Sequence, residues 1–328
     1  MGRPGSGTES CYHALRPVGR IFLQGAHMMN RLDPWLALSL LLASGCGLQT
    51  PLDHYGSNPS DDPGTGGASV QGGSGGAGTS GTGGAGVANT TWPQNVTVNT
   101  CDQYAAVNVG SYVVESDFWN QGSCPGTQCM TINDATGAFT VTQFPDCGNT
   151  VASYPNMLYG CSFGTCSPGS VLPKPVSSIT TVTSSWSFSV GGTAADQYDV
   201  AYDIWFCPND TCGSNGFPNG TELMIWLDYQ NVAGWQNHLG TVNLDGHTWD
   251  VWVATQGASG NNWTYLAYMI QGPMVTSVTN LDLNAFFKDA ASRGYVQNSW
   301  YLYAIQAGDE LRTGGLPFDS NSFSVSIK

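Results

Sequence analysis

The chain of 328 residues has few charged residues, and basic residues are the scarcest among them. It carries nine Lys and Arg against 23 Asp and Glu, which gives a net charge of −14. Only five basic residues follow Trp92, and they are scattered along the sequence. Neutralising a phosphate backbone requires clustered Lys and Arg, so this composition excludes nucleic acid as a partner.

The sequence also lacks an apolar run long enough to cross a bilayer. Its most apolar run covers residues 34–46, well short of the roughly 20 residues that a spanning helix needs. Arg31 precedes this run, a pattern typical of a signal segment. Residues 1–27 resemble sequence that lies before a start codon. We therefore expect translation to begin at Met28 or Met29.

The signal segment ends in Ala-Ser-Gly-Cys at 43–46, which is similar to a bacterial lipobox. This pattern predicts lipidation of Cys46, and cleavage of an ordinary signal peptide near Ala43 is the alternative. We therefore assign residues 1–46 to export. We expect the protein to be released or to sit at the bacterial surface, and to touch the membrane only through this lipid.

A glycine-rich segment follows, and it shows no apolar periodicity over residues 47–91. Between Gly64 and Gly86, 12 of the 23 residues are glycine. Such a composition predicts a flexible linker, whose 45 or so residues would span roughly 35–40 Å. The remaining residues, 92–328, are enough for one domain with a sizeable core.

The ten cysteines predict a disulfide-stabilised exported domain. Cys11 precedes the expected start, and Cys46 is assigned to the lipid. The other eight are Cys101, Cys124, Cys129, Cys147, Cys161, Cys166, Cys207 and Cys212. The short loops between them predict the pairs Cys161–Cys166 and Cys207–Cys212. Their spacing does not form the two C-x-x-C knuckles of a zinc site, and we expect neither a metal nor another cofactor.

Short β-like runs, separated by turn residues, recur through the domain. They cover 111–119, 184–190, 198–206, 221–229, 247–255, 263–270, 299–308 and 320–327. This spacing predicts an all-β sandwich or barrel. One stretch, 280–294, has apolar residues at helical spacing, with Asp282 placed to cap a helix and Gly294 placed to end it.

Alternation along the run at 221–229 separates two faces of a strand. Leu223 and Ile225 point to one face, as in the core of a sandwich. Glu222, Met224 and Trp226 share the other face, where an acid lies beside an indole. That second face is suited to a sugar-binding cleft, because an indole ring packs well on the apolar face of a pyranose.

Two further acids lie on strand faces with a Trp or a Gln. Asp203 shares a face with Trp205, and Glu310 shares a face with Gln306 if its strand has no bulge. Hydrolysis of a glycosidic bond requires two carboxyl groups, which favours a glycosidase. A sugar-binding β-sandwich without catalysis, or a surface protein with a decayed site, is the alternative.

Five stretches, in this order along the chain, resemble glycoside hydrolase family 12. They are QC at 128–129, SYPN at 153–156, AYDIWF at 201–206, TELMIWLDY at 221–229 and YLYAIQAGDE at 301–310. The resemblance covers nearly all of 92–328. It implies a β-jelly-roll sandwich of two antiparallel sheets with one short helix and a concave substrate cleft. It also implies a monomeric endo-β-1,4-glucanase that acts on cellulose or related β-glucans with retention of configuration.

The resemblance also assigns roles to individual residues. Glu222 matches the nucleophile, Glu310 the general acid/base, and Asp203 an assisting acid that hydrogen-bonds Glu222. Trp119 matches a tryptophan that stacks on a sugar, and Met224 lines the floor of the cleft. Four more residues are candidate sugar contacts because of the strand face or loop in which they lie: Trp205, Trp226, Gln306 and Trp235. Trp235 is either a further sugar platform or the anchor of an exposed loop.

The family pattern further implies the disulfides Cys101–Cys129 and Cys161–Cys166, which leaves Cys124 and Cys147 for each other. The sequence departs from the family at several positions. Leu311 follows the second glutamate where the family usually has proline, and Ser116 and Asp117 replace two asparagines before Trp119. The segments 207–220 and 231–240 are also unusual. These differences leave the preferred polymer open, with xyloglucan as the alternative to cellulose.

Overall fold

The structure is a computed structural model that describes residues 95–212, 218–258 and 261–328. The signal segment, Cys46 and the glycine-rich linker (residues 1–91) lie outside the described residues, so what the sequence indicates about them stays a prediction. In the described part, the chain forms seventeen strands, one short 3-10 turn and a single α-helix.

The strands make up most of the described chain. The first eight are β1 (Thr97–Thr100), β2 (Ala106–Val109), β3 (Tyr112–Glu115), β4 (Cys129–Asn133), β5 (Phe139–Gln143), β6 (Asn156–Ser162), β7 (Thr165–Cys166) and β8 (Lys174–Pro175). The next nine are β9 (Val182–Val190), β10 (Gln197–Cys207), β11 (Thr221–Gln230), β12 (Asn237–Leu244), β13 (His247–Ala258), β14 (Asn261–Ile270), β15 (Ser277–Asp282), β16 (Tyr301–Thr313) and β17 (Phe318–Ile327). The 3-10 turn is Val176–Ser178, and the helix α1 is Leu283–Ser292.

The strands form two sheets. The smaller has the order β1-β4-β5-β17-β9-β15, and the larger has the order β12-β13-β14-β11-β10-β16-β6-β3-β2, with β7 and β8 attached to β6 and β16. Pairing is antiparallel except between β11 and β14, which run parallel. The predicted sandwich of two antiparallel sheets is confirmed, with this one parallel pair as an addition.

The main core lies between the sheets and follows the alternation read from the sequence. On β11, Leu223, Ile225 and Leu227 are fully buried in this core, together with Tyr202 and Ile204 of β10. The intervening residues of both strands point to the opposite face of the larger sheet. Side chains alternate along a strand, so every second residue of β10, β11 and β16 lies on the face of the larger sheet that points away from the core. These residues are available to form a site.

The helix closes one side of the core, as its apolar spacing predicts. Asp282 caps it by accepting a hydrogen bond from the Asn284 backbone N–H at 3.0 Å. Phe286 packs edge-on against Trp249 and Tyr268. In the described part of the chain this ten-residue helix is too short and too polar to cross a bilayer.

The eight cysteines of the domain form the four expected disulfides. They are Cys101–Cys129, Cys124–Cys147, Cys161–Cys166 and Cys207–Cys212. The unusual segment 231–240, which we expected to form a loop around Trp235, requires a correction, because β12 begins at Asn237. Its alternation is weak because it is an edge strand with mostly exposed or half-buried residues.

Candidate active site

A cavity of about 540 Å³ opens on the face of the larger sheet that points away from the main core. Such a volume falls in the range of ligand-binding clefts. It is lined by eight of the nine residues that the sequence proposes for catalysis or sugar binding. These are Trp119, Asp203, Trp205, Glu222, Trp226, Trp235, Gln306 and Glu310.

Met224 is the exception. The sequence predicts it at the floor of the cleft, but in the structure it is 1% exposed and does not line the cavity. It packs behind the cavity wall with Ala201, Trp226 and Tyr265. Met224 lies on the predicted face of β11, but the larger aromatic side chains around it separate it from the cavity.

Glu222 lies at the start of β11, buried in an aromatic environment. Its Oε2 accepts a hydrogen bond of 2.6 Å from Trp263 Nε1. The pKa of Glu222 is raised to about 8, mainly by burial; the hydrogen bond from Trp263 lowers it, and the charge of the nearby Glu310 raises it. Trp263 in turn packs edge-on against Trp205, in a buried cluster that also contains Cys207 and Cys212.

Asp203 lies on β10, and its partner differs from the prediction. Its Oδ2 accepts a hydrogen bond of 3.0 Å from Trp205 Nε1, whereas Oδ1 has no partner among the described residues. The expected hydrogen bond to Glu222 is therefore not formed, because Met224 rather than Glu222 pairs with Asp203 across the strands. Burial, followed by the charges of Glu222 and Glu310, raises the pKa of Asp203 well above its usual range.

Gln306 ties the centre of the site together. Its Oε1 accepts a 3.2 Å hydrogen bond from Trp205 Nε1, and its Nε2 donates to Asn156 Oδ1 at 3.1 Å. Gly308, two residues further along β16, allows this close approach of β6. A Cβ at Gly308 would lie only 2.8 Å from Cβ of Asn156, so a larger residue would push the strands apart.

Glu310 lies on β16 beside a buried arginine. Arg312 Nη2 donates to Glu310 Oε2 at 3.1 Å, and Arg312 Nη1 donates to Asp199 Oδ1 at 2.5 Å. Burial alone would lower the pKa of Arg312, but the two carboxyl groups raise it, so the guanidinium stays charged. The strand has no register shift between Gln306 and Glu310, which confirms their shared face.

The two glutamates line one cavity although they pair with different parts of β10. Glu222 pairs with Trp205 of β10, and Glu310 pairs with Asp199 of the same strand. The two β10 partners are six positions apart. In a flat strand that separation would be about 20 Å. Both side chains nevertheless line the same cavity and interact electrostatically.

Aromatic side chains form the walls. Trp235 packs edge-on against Tyr265, with ring centroids 5.8 Å apart, and its ring is part of the cavity surface. Trp119 follows Asp117, which also lines the cavity and has a positive φ of 40°. Burial, followed by the charge of Glu115, raises the pKa of Asp117 well above its usual range.

Several residues of this site are not evident from the sequence patterns. They are Asp117, Tyr154, Phe163, Trp263, Tyr265 and Arg312. Strand alternation places Trp263 and Tyr265 on one face, but only the parallel pairing of β14 with β11 brings that face next to Glu222. Arg312 could have been found because it is two residues from Glu310 and therefore shares its face.

Comparisons with known proteins identify the family of this chain. The sequence model of Glycosyl hydrolase family 12 matches residues 110–328. A metagenome-derived family 12 endoglucanase of known structure is 38% identical, with a TM-score of 0.65 over 72% of this chain and 99% of that chain. Endoglucanase Cel12A from Rhodothermus marinus is also 38% identical, with a TM-score of 0.64 over 70% of this chain and 99% of that chain.

A curated relative comes from a fungus. The probable xyloglucan-specific endo-β-1,4-glucanase A of Aspergillus terreus is 27% identical over 238 residues, which cover 69% of this chain and 86% of the relative. The family match confirms the resemblance read from the sequence, and the jelly-roll sandwich is the fold of these structural neighbours. The chain belongs to glycosyl hydrolase family 12 and is a glycoside hydrolase.

Proposed function

We propose that the protein is a retaining endo-β-1,4-glucanase that cleaves internal bonds of cellulose or related β-glucans. The observation that carries the proposal is the pair Glu222 and Glu310, which line one open cavity walled by tryptophans. A non-catalytic binding module requires sugar platforms but no pair of acids. The burial of Glu222 costs free energy that binding alone gives no reason to retain.

In the first step, Glu222 attacks the anomeric carbon while Glu310 gives its proton to the departing glycosidic oxygen. The bond between the anomeric carbon and that oxygen breaks, and an ester between Glu222 and the sugar forms. Trp263 supports this role of Glu222, because its N–H donates to the carboxylate and fixes one oxygen. The other oxygen is then available for attack.

In the second step, Glu310 takes a proton from a water molecule, whose oxygen attacks the anomeric carbon and releases Glu222. The sugar returns to its original configuration after two displacements. Retention requires the two carboxyl groups to lie about 5–5.5 Å apart when substrate is bound. Asp203 makes no hydrogen bond to Glu222, and its role is to place a carboxyl group whose pKa is raised by burial and by the charges of Glu222 and Glu310 beside the two glutamates.

Sugar binding is assigned to the residues that form the cavity walls. Trp119 and Trp235 offer ring surface, whereas Trp205 and Trp226 are each only 2% exposed and shape the wall rather than offer a free face. Gln306 links Trp205 to β6. We therefore place the main stacking contacts on Trp119 and Trp235.

The second candidate function is a xyloglucan-specific endoglucanase. The curated Aspergillus terreus relative carries that name, although the solved structures with higher identity are endoglucanases.

The location of the enzyme is also a proposal from the sequence. Export, a lipid on Cys46, the tether at 47–91 and a monomeric domain fit an enzyme that meets its polymer outside the cell.

A substrate panel tests the proposal. The full chain is assayed for reducing ends on barley β-glucan, carboxymethylcellulose and xyloglucan, with Glu222→Gln as the matched control. We expect the wild type to cleave an unbranched β-glucan and the variant to lose at least about 100-fold in rate. Xyloglucan as the only substrate would replace the first candidate by the second, and hydrolysis of none of the three would contradict both.

A further inference from the structure

Asp199 and Glu310 form a pair of carboxyl groups that shares one guanidinium. They are direct neighbours across β10 and β16, and both contact Arg312. The Asp199 side chain is fully buried, and those of Arg312 and Glu310 are 11% and 19% exposed. The three groups therefore lie largely out of water, where an excess charge of either sign costs free energy.

One oxygen of Asp199 has no donor. Oδ1 accepts from Arg312, but Oδ2 is buried without a hydrogen-bond partner in the described part of the chain. Burial and then the charge of Glu310 raise the pKa of Asp199 well above its usual range, although the charge and the hydrogen bond of Arg312 act in the opposite direction. Two ionised carboxylates have no proton to donate to each other, whereas one proton on either of these neighbouring carboxyl groups would make it a donor.

Counting charges leads to the same arrangement. Two carboxylates and one guanidinium sum to −1, and one proton brings the group to zero. A buried group prefers the neutral state, so the unit favours holding one proton. A general acid requires one proton that stays in place until the glycosidic bond breaks.

We propose that Asp199 and Arg312 are positioning residues for Glu310, and that the three side chains act as one unit that holds a single transferable proton. The inference rests on the function proposed above. The O–H bond of the pair breaks as the proton passes to the leaving oxygen, and the unit then carries −1. In the second step the proton of the attacking water restores it to zero.

Other titratable groups surround the unit, and the test keeps all of them in place. They are Asp203 on β10, Glu222 on β11, Tyr265 on β14, Tyr154 before β6 and Asp309 on the opposite face of β16. Burial raises the pKa of both tyrosines, so they are neutral in the working range. Differences among variants of Asp199 and Arg312 therefore report on the unit itself.

The experiment measures the alkaline limb of kcat/KM on barley β-glucan, since this limb reports loss of the acid's proton. In Asp199→Asn, the negative charge of Glu310 and the positive charge of Arg312 cancel without an added proton. Glu310 therefore loses its proton more easily, and the limb moves about one pH unit or more to lower pH. In the double variant Asp199→Asn/Arg312→Met, the remaining carboxyl is neutral only with a proton, so the limb returns toward the wild-type position.

A matched control is Asp250→Asn, which removes another ion-paired aspartate of the same sheet, the partner of His238. It leaves the limb in place. A wild type that does not hydrolyse any glucan overturns the proposed function and this inference with it. An active wild type with an unmoved limb in Asp199→Asn, or no return in the double variant, overturns this inference alone. In the double variant the unit carries no charge while Glu310 holds its proton, so a limb that returns in this variant separates a charge effect from a folding defect.

Discussion

Trp263 Nε1 donates a hydrogen bond of 2.6 Å to Glu222 Oε2, and this contact joins two strands that are distant in sequence and parallel in the sheet. The indole N–H stabilises the charged form of the carboxyl. Burial and the charge of Glu310 favour the neutral form of the same group. The ionisation of the proposed nucleophile is therefore set by a balance between these opposing effects.

The first prediction removes the donor. Trp263→Phe takes away a hydrogen bond that favours the ionised carboxylate, so Glu222 ionises at higher pH. A hydrogen bond to a charged group is worth about 1.5–3 kcal/mol, which corresponds to about one to two pH units. We expect the acidic limb of kcat/KM on β-glucan to move upward by that amount.

The control for this measurement is Trp249→Phe. Trp249 is fully buried in the main core and donates its indole N–H to the Leu244 carbonyl at 3.0 Å. It loses a hydrogen bond of the same kind, away from the cavity. An acidic limb that stays in place in Trp263→Phe, or that moves equally in both variants, contradicts the assigned role of the indole.

The second prediction concerns stability. The pKa of Glu222 is about 8 in the folded protein, above its ordinary value of 4.5, so folding favours the protonated form. The cost of burying its charge is absent below pH 4.5, grows as the pH rises, and is complete above pH 8. Glu222→Gln is neutral throughout, so its free energy of unfolding should gain on the order of 4 kcal/mol relative to the wild type between pH 4.5 and pH 8. Urea unfolding at pH 4.5 and pH 8 measures the difference, and a constant offset between the two proteins would refute it.

A third prediction tests the stacking walls. Trp119→Ala and Trp235→Ala each remove a ring that we assign to a sugar face, a contact worth about 1–2 kcal/mol. Because such contacts bind the ground state and the transition state alike, KM for β-glucan should rise about 5–30-fold with little change in kcat. Tyr104→Ala, which removes an aromatic residue that is 55% exposed and does not line the cavity, is the control. A drop in kcat without a change in KM would show that the rings act otherwise.

Strand alternation accounts for much of what could be predicted from the sequence. Every second residue of β10, β11 and β16 points away from the core, so alternation alone assigns Asp203, Glu222, Trp226, Gln306 and Glu310 to strand faces that meet at the cavity. The helix was predictable for a similar reason, since its apolar residues repeat at helical spacing after a capping aspartate. These features are local, and local sequence is sufficient to specify them.

The features that could not be predicted depend on distant parts of the chain. Trp263 reaches Glu222 through a parallel pairing across 41 positions, and no local pattern specifies which strands pair. The presence of Glu222 and Glu310 in one cavity depends on the pairing of β10 with both β11 and β16. Four-residue strands such as β1 and β2 are too short for a clear alternation, and they form by pairing with β4 and β3 at the edges of the two sheets.

The proposed retaining mechanism makes Glu222 the residue that carries the covalent intermediate. A 2-deoxy-2-fluoro-β-cellobioside with an activated aryl leaving group tests this directly, because the fluorine slows both steps while the activated leaving group restores the rate of ester formation alone. Mass spectrometry of the treated protein and its peptides locates the sugar. We predict one fluorocellobiosyl group per chain on the peptide that contains Glu222. A chain that hydrolyses β-glucan but carries no label, or carries it on another residue, would contradict the account.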